Sequence, residues 1–475
     1  MVELRHGHKK LSPQCNVIKT RQKVFNFGLR HLLLLILLYA PVTSQAENLV
    51  DIFQLAIEND SELKAAQSAK QALLTKEPQA YSKFYPRISA ESSTGKVSQD
   101  LIAAANATTF DPFSQVVQDE SLLGRNIYSQ FNAKLSLVQP LYDVKIFRNR
   151  KVAEVDTVKA ELEYRIAQQD LIFRVAESYF NVLASTDELN FARSEKNAIT
   201  RQLEQTKQRF QVGLTAVTDV HEAQARHDLA LAQEIKAETE VAKQQEILRR
   251  ITGTIHNDLM RLKVDMPLIP PSPSSIVDWT DAARSQNFDV AVIKYDADKI
   301  RYQMEVMRGE NFPKIELRAS YGYNKWGGPY SQESTDAIIA LDINMSLFEG
   351  NAVNYKVAEL QHKFDEAIFK VDLKEKMVLQ ITRQAYLGVL AGMSYVKALQ
   401  QALQSSEKAL RATNAGFEVG TRTAIEVLDA QRELFRGQRD YASARYEYLL
   451  NTLQLKKAVG LLSIDDLEQI NNWLE

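Results

Sequence analysis

A fifteen-residue stretch occurs twice in this chain, and its recurrence constrains the fold more than any other feature. Residues 210–224 read FQVGLTAVTDVHEAQ, and residues 417–431 read FEVGTRTAIEVLDAQ. The two copies keep their phenylalanine, their Val-Gly pair and their final Ala-Gln at a constant offset of 207 positions. A register that holds over this length indicates an internal two-fold repeat, so each half of the chain can be used to interpret the other.

Each copy predicts the turn between two antiparallel helices. The pairs Val212-Gly213 and Val419-Gly420 end a helical pattern, because glycine adopts the left-handed conformation that closes a helix. Helical periodicity resumes a few residues later. Each predicted turn also carries an acid shortly after the bend, Asp219 in the first copy and Glu426 in the second.

The segment before the first turn lacks helix-breaking residues over a very long distance. From Leu141 to Val212 there is neither glycine nor proline, which predicts a helix on the order of 100 Å long. Further long helices are predicted over 216–252, 348–419 and 423–459. Helices of globular proteins average about three turns, so helices of this length need partners alongside them, as in a coiled coil.

Before each long helix the hydrophobic period changes from that of a helix to that of a strand. Strands with one apolar and one polar face are predicted at about 87–97, 129–139, 314–323 and 337–347. The polar stretch 98–127 and Gly327-Gly328-Pro329 are predicted as their loops. Helices are predicted over 48–82, with a break near Asn59 and Ser61 as the cap of the second part, and over 278–311.

These patterns predict a leader and two structural repeats. Residues 1–46 hold seven Lys and Arg residues, one acid and the apolar run 32–40, which is too short to span a bilayer. We expect a secretory signal peptide that is cleaved after Ala46, with an uncleaved anchor as the alternative. The first repeat is predicted over 47–266, a proline-rich linker over 267–277 and the second repeat over 278–475.

Composition excludes several classes of function. After residue 46 the chain carries 51 basic and 59 acidic residues, unlike a nucleic-acid-binding protein. Its one cysteine, Cys15, lies in the predicted leader, so neither disulfides nor thiol chemistry is expected in the exported chain. His221 and Glu222 begin an HExxH pattern, but position 225 is Ala. We therefore predict no metal, no cofactor and no enzyme activity.

Four strands of this kind leave two architectures open. Their apolar face could pack on a helix in a soluble protein. Four strands cannot close a membrane barrel, which needs about eight, but several copies of the chain could share one barrel. The length of the flanking helices favours the shared barrel, in which the polar face lines water and the apolar face meets lipid.

The leader, the two helix–strand–strand–long helix repeats and the turns RFQVGLTAVTDV and GFEVGTRTAIEVLDA together resemble the TolC family of outer-membrane efflux proteins. The resemblance implies an α+β membrane protein, a homotrimer in which each chain gives four strands to a twelve-stranded outer-membrane β-barrel. A long periplasmic coiled-coil tunnel, closed at its inner end, would continue that barrel.

The same resemblance implies the function and the partners. It implies the exit duct of tripartite efflux pumps or type I secretion systems, working with a periplasmic adaptor protein and an inner-membrane transporter of the ABC, RND or a similar type. The residues alone leave a coiled-coil scaffold without a pore as the alternative.

The resemblance also assigns roles at the turns. Glu426 and Asp429 match an acidic ring at the closed end of the tunnel, and their spacing puts both on one helix face. Such a ring selects cations, and repulsion between its carboxylates raises some of their pKa values. The residues alone would also fit a plain solvated helix face.

Arg422 matches an arginine that latches one chain to the next, and its expected partners are Thr218 and Asp219 of the neighbouring chain. Phe417 stands where the family has a tyrosine of the same network, so we expect a latch that lacks one hydrogen bond. The exposed turns are expected to dock the adaptor through Val212, Gly213, Val419 and Gly420.

Overall fold

The computed structural model describes residues 46–101, 124–327 and 331–475. The predicted signal peptide lies outside these ranges except for Ala46. Gly328, Pro329 and most of the predicted loop 98–127 lie outside them as well.

Three helices open the described chain, α1 (Leu49–Asn59), α2 (Ser61–Leu74) and α3 (Lys76–Ser82). The predicted break after Asn59 is present, but the prediction that Ser61 is the cap was wrong. Asp60 is the cap, because its carboxylate accepts a hydrogen bond from the amide of Leu63 at 2.7 Å, and Ser61 is the first helical residue. A second break follows at Thr75.

The strands β1 (Arg87–Leu101), β2 (Gly124–Tyr142), β3 (Lys314–Trp326) and β4 (Gln332–Asn344) form one antiparallel sheet in the order β1-β2-β3-β4. The first pair extends into the stretch predicted as a loop, where Ser98 pairs with Ile127. Polar side chains there hide the alternation that the prediction relied on. β4 starts earlier than predicted and ends at Asn344, so residues 345–347 lie beyond it.

The register places most apolar side chains of the four strands on one face, with Val138 and Ile338 on the other. Ile88 lies opposite Leu137, and Ala319 lies between Leu137 and Ile339. This face is open in the single chain, with Ile339 82% exposed and Ile88 64% exposed. It is therefore not buried on a helix, which removes the basis of the soluble-protein alternative.

The long helices are α4 (Val144–Gln211), α5 (Val217–Thr252), α8 (Ala352–Glu418) and α9 (Ala424–Ala458). With 68 residues, α4 is about 100 Å long. The start of α8 was predicted at 348, but Gly350 and Asn351 both have positive φ and delay it to Ala352. None of the helices in the described ranges combines the length and the apolar character that a membrane span requires.

The helix predicted over 278–311 is two helices, α6 (Ile276–Gln286) and α7 (Phe288–Arg308), followed by a 3-10 turn. Asn287 separates them, because its side chain accepts a hydrogen bond from the amide of Val290 at 3.0 Å and donates one to the carbonyl of Ala458 at 2.9 Å. The last two residues of the predicted linker thus belong to α6. A final helix, α10 (Ile464–Asn471), closes the chain.

The main hydrophobic core lies where the two halves meet, away from the sheet and the turns. It combines residues of α1, of α2 and of every helix from α4 to α10. At its centre the ring of Phe180 meets Tyr179 edge-on and stacks on Tyr446, with both centroid distances at 5.7 Å. The linker joins this core through Ile269, whose backbone carbonyl accepts a hydrogen bond from the hydroxyl of Tyr448 at 2.8 Å.

Candidate functional site

The first hairpin turn joins α4 to α5. Gly213 has φ of 77°, and the amide of Leu214 donates to the carbonyl of Arg209 at 2.9 Å, which satisfies one of the last carbonyls of α4. Val212 is 69% exposed, and the space around Gly213 is open. The turn therefore presents an apolar side chain to solvent.

The second turn, between α8 and α9, closes in the same way. Gly420 also has φ of 77°, and the amide of Thr421 donates to the carbonyl of Gly416 at 2.8 Å. Val419 is 75% exposed, like its counterpart Val212. The predicted equivalence of the two turns thus extends to their backbone conformation.

Glu426 holds the start of α9 together. Its carboxylate accepts a hydrogen bond from the amide of Thr423 at 2.7 Å, and its own amide donates to the hydroxyl of Thr423 at 3.3 Å. This reciprocal pair is a capping box. The guanidinium of Arg422 adds an ion pair to the same carboxylate. The amide of Thr423 and the guanidinium of Arg422 together lower the pKa of Glu426 below its usual range.

Within one chain, then, Arg422 pairs with Glu426. The first turn has a matching contact, because the hydroxyl of Thr215 donates to the carboxylate of Asp219 four residues later. Thr215 and Arg422 are equivalent positions of the repeat, so both turns hold their first acid by a side chain four residues before it. Thr218 is exposed beside this contact.

Asp429, the second predicted ring acid, reaches the other hairpin. Nη1 of Arg226, on α5, donates to Oδ1 of Asp429 at 2.8 Å, while Nη2 of Arg226 donates to Oε1 of Glu222 at 3.1 Å. Arg432 lies 3.6 Å from the same oxygen of Asp429. Burial lowers the pKa of Arg226, but its bonds to Asp429 and Glu222 outweigh burial and raise that pKa overall.

The prediction from sequence missed Arg226. A signal was available, because the 207-residue offset maps Asp429 onto Glu222, and Arg226 follows Glu222 by one helical turn. That spacing predicts the bond within α5, but not the bond from α5 to α9.

Phe417 also makes a contact that the sequence did not predict. The guanidinium of Arg209 lies over its ring at 4.4 Å from the centroid, which is the geometry of a cation–π interaction. The phenylalanine thus supplies an aromatic face that joins the end of α8 to the end of α4. Below both turns, Leu428 of α9 packs with Ile199 and Ala230 of the first hairpin.

The chemistry of this region is that of ion pairs and helix ends. In the part of the chain that the structure describes, no group of three or more His, Cys, Asp or Glu side chains is placed to hold a metal ion. The acids at the turns instead have arginine or threonine partners. Such groups can attract cations and can join or release neighbouring helices.

Comparison with known proteins identifies relatives over most of the chain. Residues 52–254 and 279–461 match the family described as "Outer membrane efflux protein". The outer membrane protein TolC of Vibrio cholerae is 32% identical over 435 residues, which cover 90% of this chain and 94% of the relative. The alkaline protease secretion protein AprF of Pseudomonas aeruginosa is 26% identical, with 90% and 87% covered.

Solved structures share the fold. The CmeC outer membrane channel of Campylobacter jejuni has a TM-score of 0.72 at 16% identity, covering 90% of each chain. The outer membrane protein VceC of Vibrio cholerae has a TM-score of 0.70 at 17% identity, covering 87% of this chain and 96% of that one. A mostly helical chain with one four-stranded sheet is therefore an architecture that known channels use.

Proposed function

Because the chain belongs to the outer membrane efflux protein family, we propose that three copies of it assemble into one channel that its hairpin turns close. Its location is the outer membrane, and its role is that of an exit duct for efflux or type I secretion. What we propose beyond this role is how the duct is built, how it is gated and which partners open it.

The sheet supports assembly from several chains. Among the described residues, β1 and β4 are each paired on one side only. Unpaired backbone groups are costly in lipid, where each lost hydrogen bond costs several kcal/mol, so strands cross a membrane only as a closed barrel. Four strands are too few, since membrane barrels begin at about eight. Three chains, each pairing β4 with β1 of the next, give twelve strands.

The two faces of the sheet fit this barrel. The apolar face would meet lipid, and the opposite face would line the bore. Ser89, Lys134 and Arg318 lie on that opposite face, and Arg318 forms an ion pair with Asp342 at 2.9 Å. Charged side chains at these positions favour an aqueous bore.

The helices leave a second surface that a neighbouring chain would cover. On α8, exposed apolar side chains recur at helical spacing, which is how a helix presents a face to a partner. They are Phe369, Leu373, Met377 and Leu387, with Tyr395 further along. In the proposed trimer this stripe packs on the next chain and completes the tunnel wall.

The turns are proposed to be the gate at the inner end of the tunnel. Three copies of Glu426 and Asp429 would form the acidic ring, and Arg422 would exchange its own Glu426 for Thr218 and Asp219 of the next chain when the gate closes. Phe417 would stabilise the closed gate through Arg209. Val212 and Val419, with their glycines, would dock a periplasmic adaptor that brings an inner-membrane transporter.

The organisation of the chain follows the same plan. We propose a cleaved leader over 1–46, repeats over 47–266 and 278–475, and a linker between them. The names of the relatives include both efflux and protease secretion. The cargo would accordingly be set by the inner-membrane partner, which the duct serves passively and without catalysis.

Conductance across a planar lipid bilayer tests the proposal. Wild-type protein is compared with Glu426→Gln/Asp429→Asn, with La³⁺ added to the side that the turns face. We expect small cation-selective currents that La³⁺ blocks in wild type and leaves unblocked in the variant. The matched control is Asp365→Asn/Glu366→Gln. It removes two exposed carboxylates that lie on α8, far from the turns.

Each outcome has a distinct meaning. Equal block in wild type, variant and control would refute the acidic gate but keep the channel. No current from folded, detergent-extracted wild-type protein would refute the channel and favour the scaffold.

A further inference from the structure

Arg226 occupies a position between the two hairpins that the proposed gate does not yet use. It lies on α5, and its guanidinium is forked between Glu222 of the same helix and Asp429 of α9. These two acids are equivalent positions of the internal repeat. One arginine therefore joins the same site of both halves of the chain.

We propose that Arg226 is a selectivity-determining residue of the gate, which ties α9 to α5 and offsets the charge of the Asp429 ring. This inference rests on the proposed function, because it needs Asp429 to line the closed aperture. It assigns to the gate a bond within one chain, in addition to the bonds between chains.

The burial of the two partners supports this arrangement. The side chain of Arg226 is 23% exposed, whereas that of Asp429 is 45% exposed. Arg226 thus lies behind the carboxylate, on the side of the first hairpin, and Asp429 keeps one side open. In that position the arginine can orient the carboxylate and weaken its field without filling the aperture.

Arg226 differs from Arg422 in what it can do. The side chain of Arg422 is 58% exposed at the tip of the hairpin, where it can turn toward a neighbouring chain. Arg226 is held by two carboxylates between helices. When α9 moves away from α5, the bond from Arg226 to Asp429 has to break, so this bond resists opening.

The bond can also re-form easily. After separation, Arg226 keeps Glu222 and Asp429 keeps Arg432, each one turn away on its own helix. Neither charge is left alone in a buried place, which would be strongly destabilising. The contact has the properties of a latch that opens and closes repeatedly.

The charge effect follows from counting partners. When the proposed gate closes, Arg422 leaves Glu426 for the next chain, whereas Arg226 stays on the ring acid Asp429. The aperture consequently carries a weaker negative field than its carboxylates alone would give. Removing Arg226 should strengthen the binding of a multivalent cation there.

The test uses full-length trimers in planar bilayers at about 0.1 M salt, where charges within about 10 Å still interact. The variants are Arg226→Gln, Arg226→Lys and the control Arg249→Gln. Arg249 lies on the same helix, and its ion pair is with Glu246 on the exposed surface, at 3.1 Å. Conductance is measured first, and La³⁺ is then titrated on the side of the turns.

For Arg226→Gln we expect the La³⁺ concentration for half block to fall roughly tenfold and the conductance to rise about twofold, because a positive charge and a tether are lost together. Arg226→Lys should restore wild-type block, since it keeps the charge. Its conductance should stay raised, because an ammonium does not replace the planar fork of arginine. Arg249→Gln should match wild type.

A double-mutant cycle with Asp429→Asn identifies the partner. In the Asp429→Asn background, Arg226→Gln should change neither conductance nor block. If Arg226→Gln behaves like Arg249→Gln in both measurements, or has its full effect without Asp429, the proposal is wrong although the channel stands. A wild-type protein that does not conduct would overturn the proposed function and this inference with it.

Discussion

Tyr446→Phe removes one buried oxygen from the contact between the two halves of the chain. Tyr446 of α9 is 4% exposed, and its hydroxyl donates to Oδ2 of Asp187 on α4 at 2.8 Å. Burial raises the pKa of Asp187 above its usual range, and the hydrogen bond from Tyr446 partly opposes this. The ring of Tyr446 stacks on Phe180 and would keep its packing as phenylalanine.

The expected magnitude follows from the charge of the acceptor. A hydrogen bond to a charged group contributes about 1.5–3 kcal/mol, so Tyr446→Phe should lower the free energy of unfolding by about 2 kcal/mol at pH 7. With a neutral carboxyl as the acceptor, the same substitution should lower the free energy of unfolding by only about 1 kcal/mol, which is the value expected near pH 4.

The raised pKa of Asp187 sets the sign of the pH dependence. An acid whose pKa is raised by folding favours the folded state most below its unfolded pKa of about 3.9, and this contribution is lost as pH rises through the folded pKa. Without the hydroxyl of Tyr446 the pKa of Asp187 rises further. The variant should therefore lose more stability than wild type between pH 4 and pH 7.

Guanidinium unfolding followed by far-ultraviolet circular dichroism, at pH 4 and pH 7, measures the difference. Tyr448→Phe is the matched control, because the hydroxyl of Tyr448 bonds neutral groups, the backbone amide and carbonyl of Ile269. Tyr448→Phe should lower the free energy of unfolding by about 1 kcal/mol, and by the same amount at both pH values. A Tyr446→Phe effect that is independent of pH, or no larger than that of the control, would refute the reasoning.

Further substitutions test three helix ends, with controls at two of them. Asp60→Ala removes the cap of α2 and one of the two carboxylates that pair with Arg174, whose two nitrogens lie 3.1 Å from the Asp60 carboxylate while Glu62 remains at 3.2 Å. Guanidinium unfolding should show that the free energy of unfolding falls by roughly 2–3 kcal/mol, and by less for Asp60→Asn. Gly420→Ala should lower the free energy of unfolding by about 1–2 kcal/mol, because φ at Gly420 is positive. Gly437 lies in the interior of α9 with room for a methyl group, so Gly437→Ala should raise the free energy of unfolding by about 1 kcal/mol. A gain at both sites would contradict this. Thr423→Ala should cost about 1 kcal/mol and speed amide exchange in the first turn of α9 but not in its middle.

The long helices and their turns could be predicted from sequence because their signals are local. The absence of glycine and proline from Leu141 to Val212, about twenty helical turns, can be read directly from the sequence. The two Val-Gly pairs indicate where each long helix ends. The family resemblance that these features carry is confirmed by the relatives. The helix breaks at Asp60 and Asn287 were harder, since one polar residue that caps a helix hardly disturbs the hydrophobic period around it.

The contacts of the site depend on which helices lie side by side, and periodicity does not give that. The bond from Arg226 to Asp429 joins residues 203 positions apart. Phe417 was expected only to lack a hydroxyl, yet its ring face receives Arg209 from another helix. The strand ends were missed for a different reason, because polar residues on both faces removed the alternation near the loops.

The side-chain pairs around the turns keep the free energy needed to open the proposed gate small. Four acids near the turns each have a partner three or four residues away in the same hairpin, and the contacts between helices come in addition. These partner pairs are Thr215 with Asp219, Glu222 with Arg226, Arg422 with Glu426, and Asp429 with Arg432. When helices or chains separate, each charge therefore exchanges one partner for another and is not left unpaired. Exposed pairs contribute about 0–1 kcal/mol each, so the cost of opening is a sum of small differences over three chains. A docking partner opens such a gate only by binding the valines of the open state more tightly than those of the closed state, and a preference of about a thousandfold supplies about 4 kcal/mol.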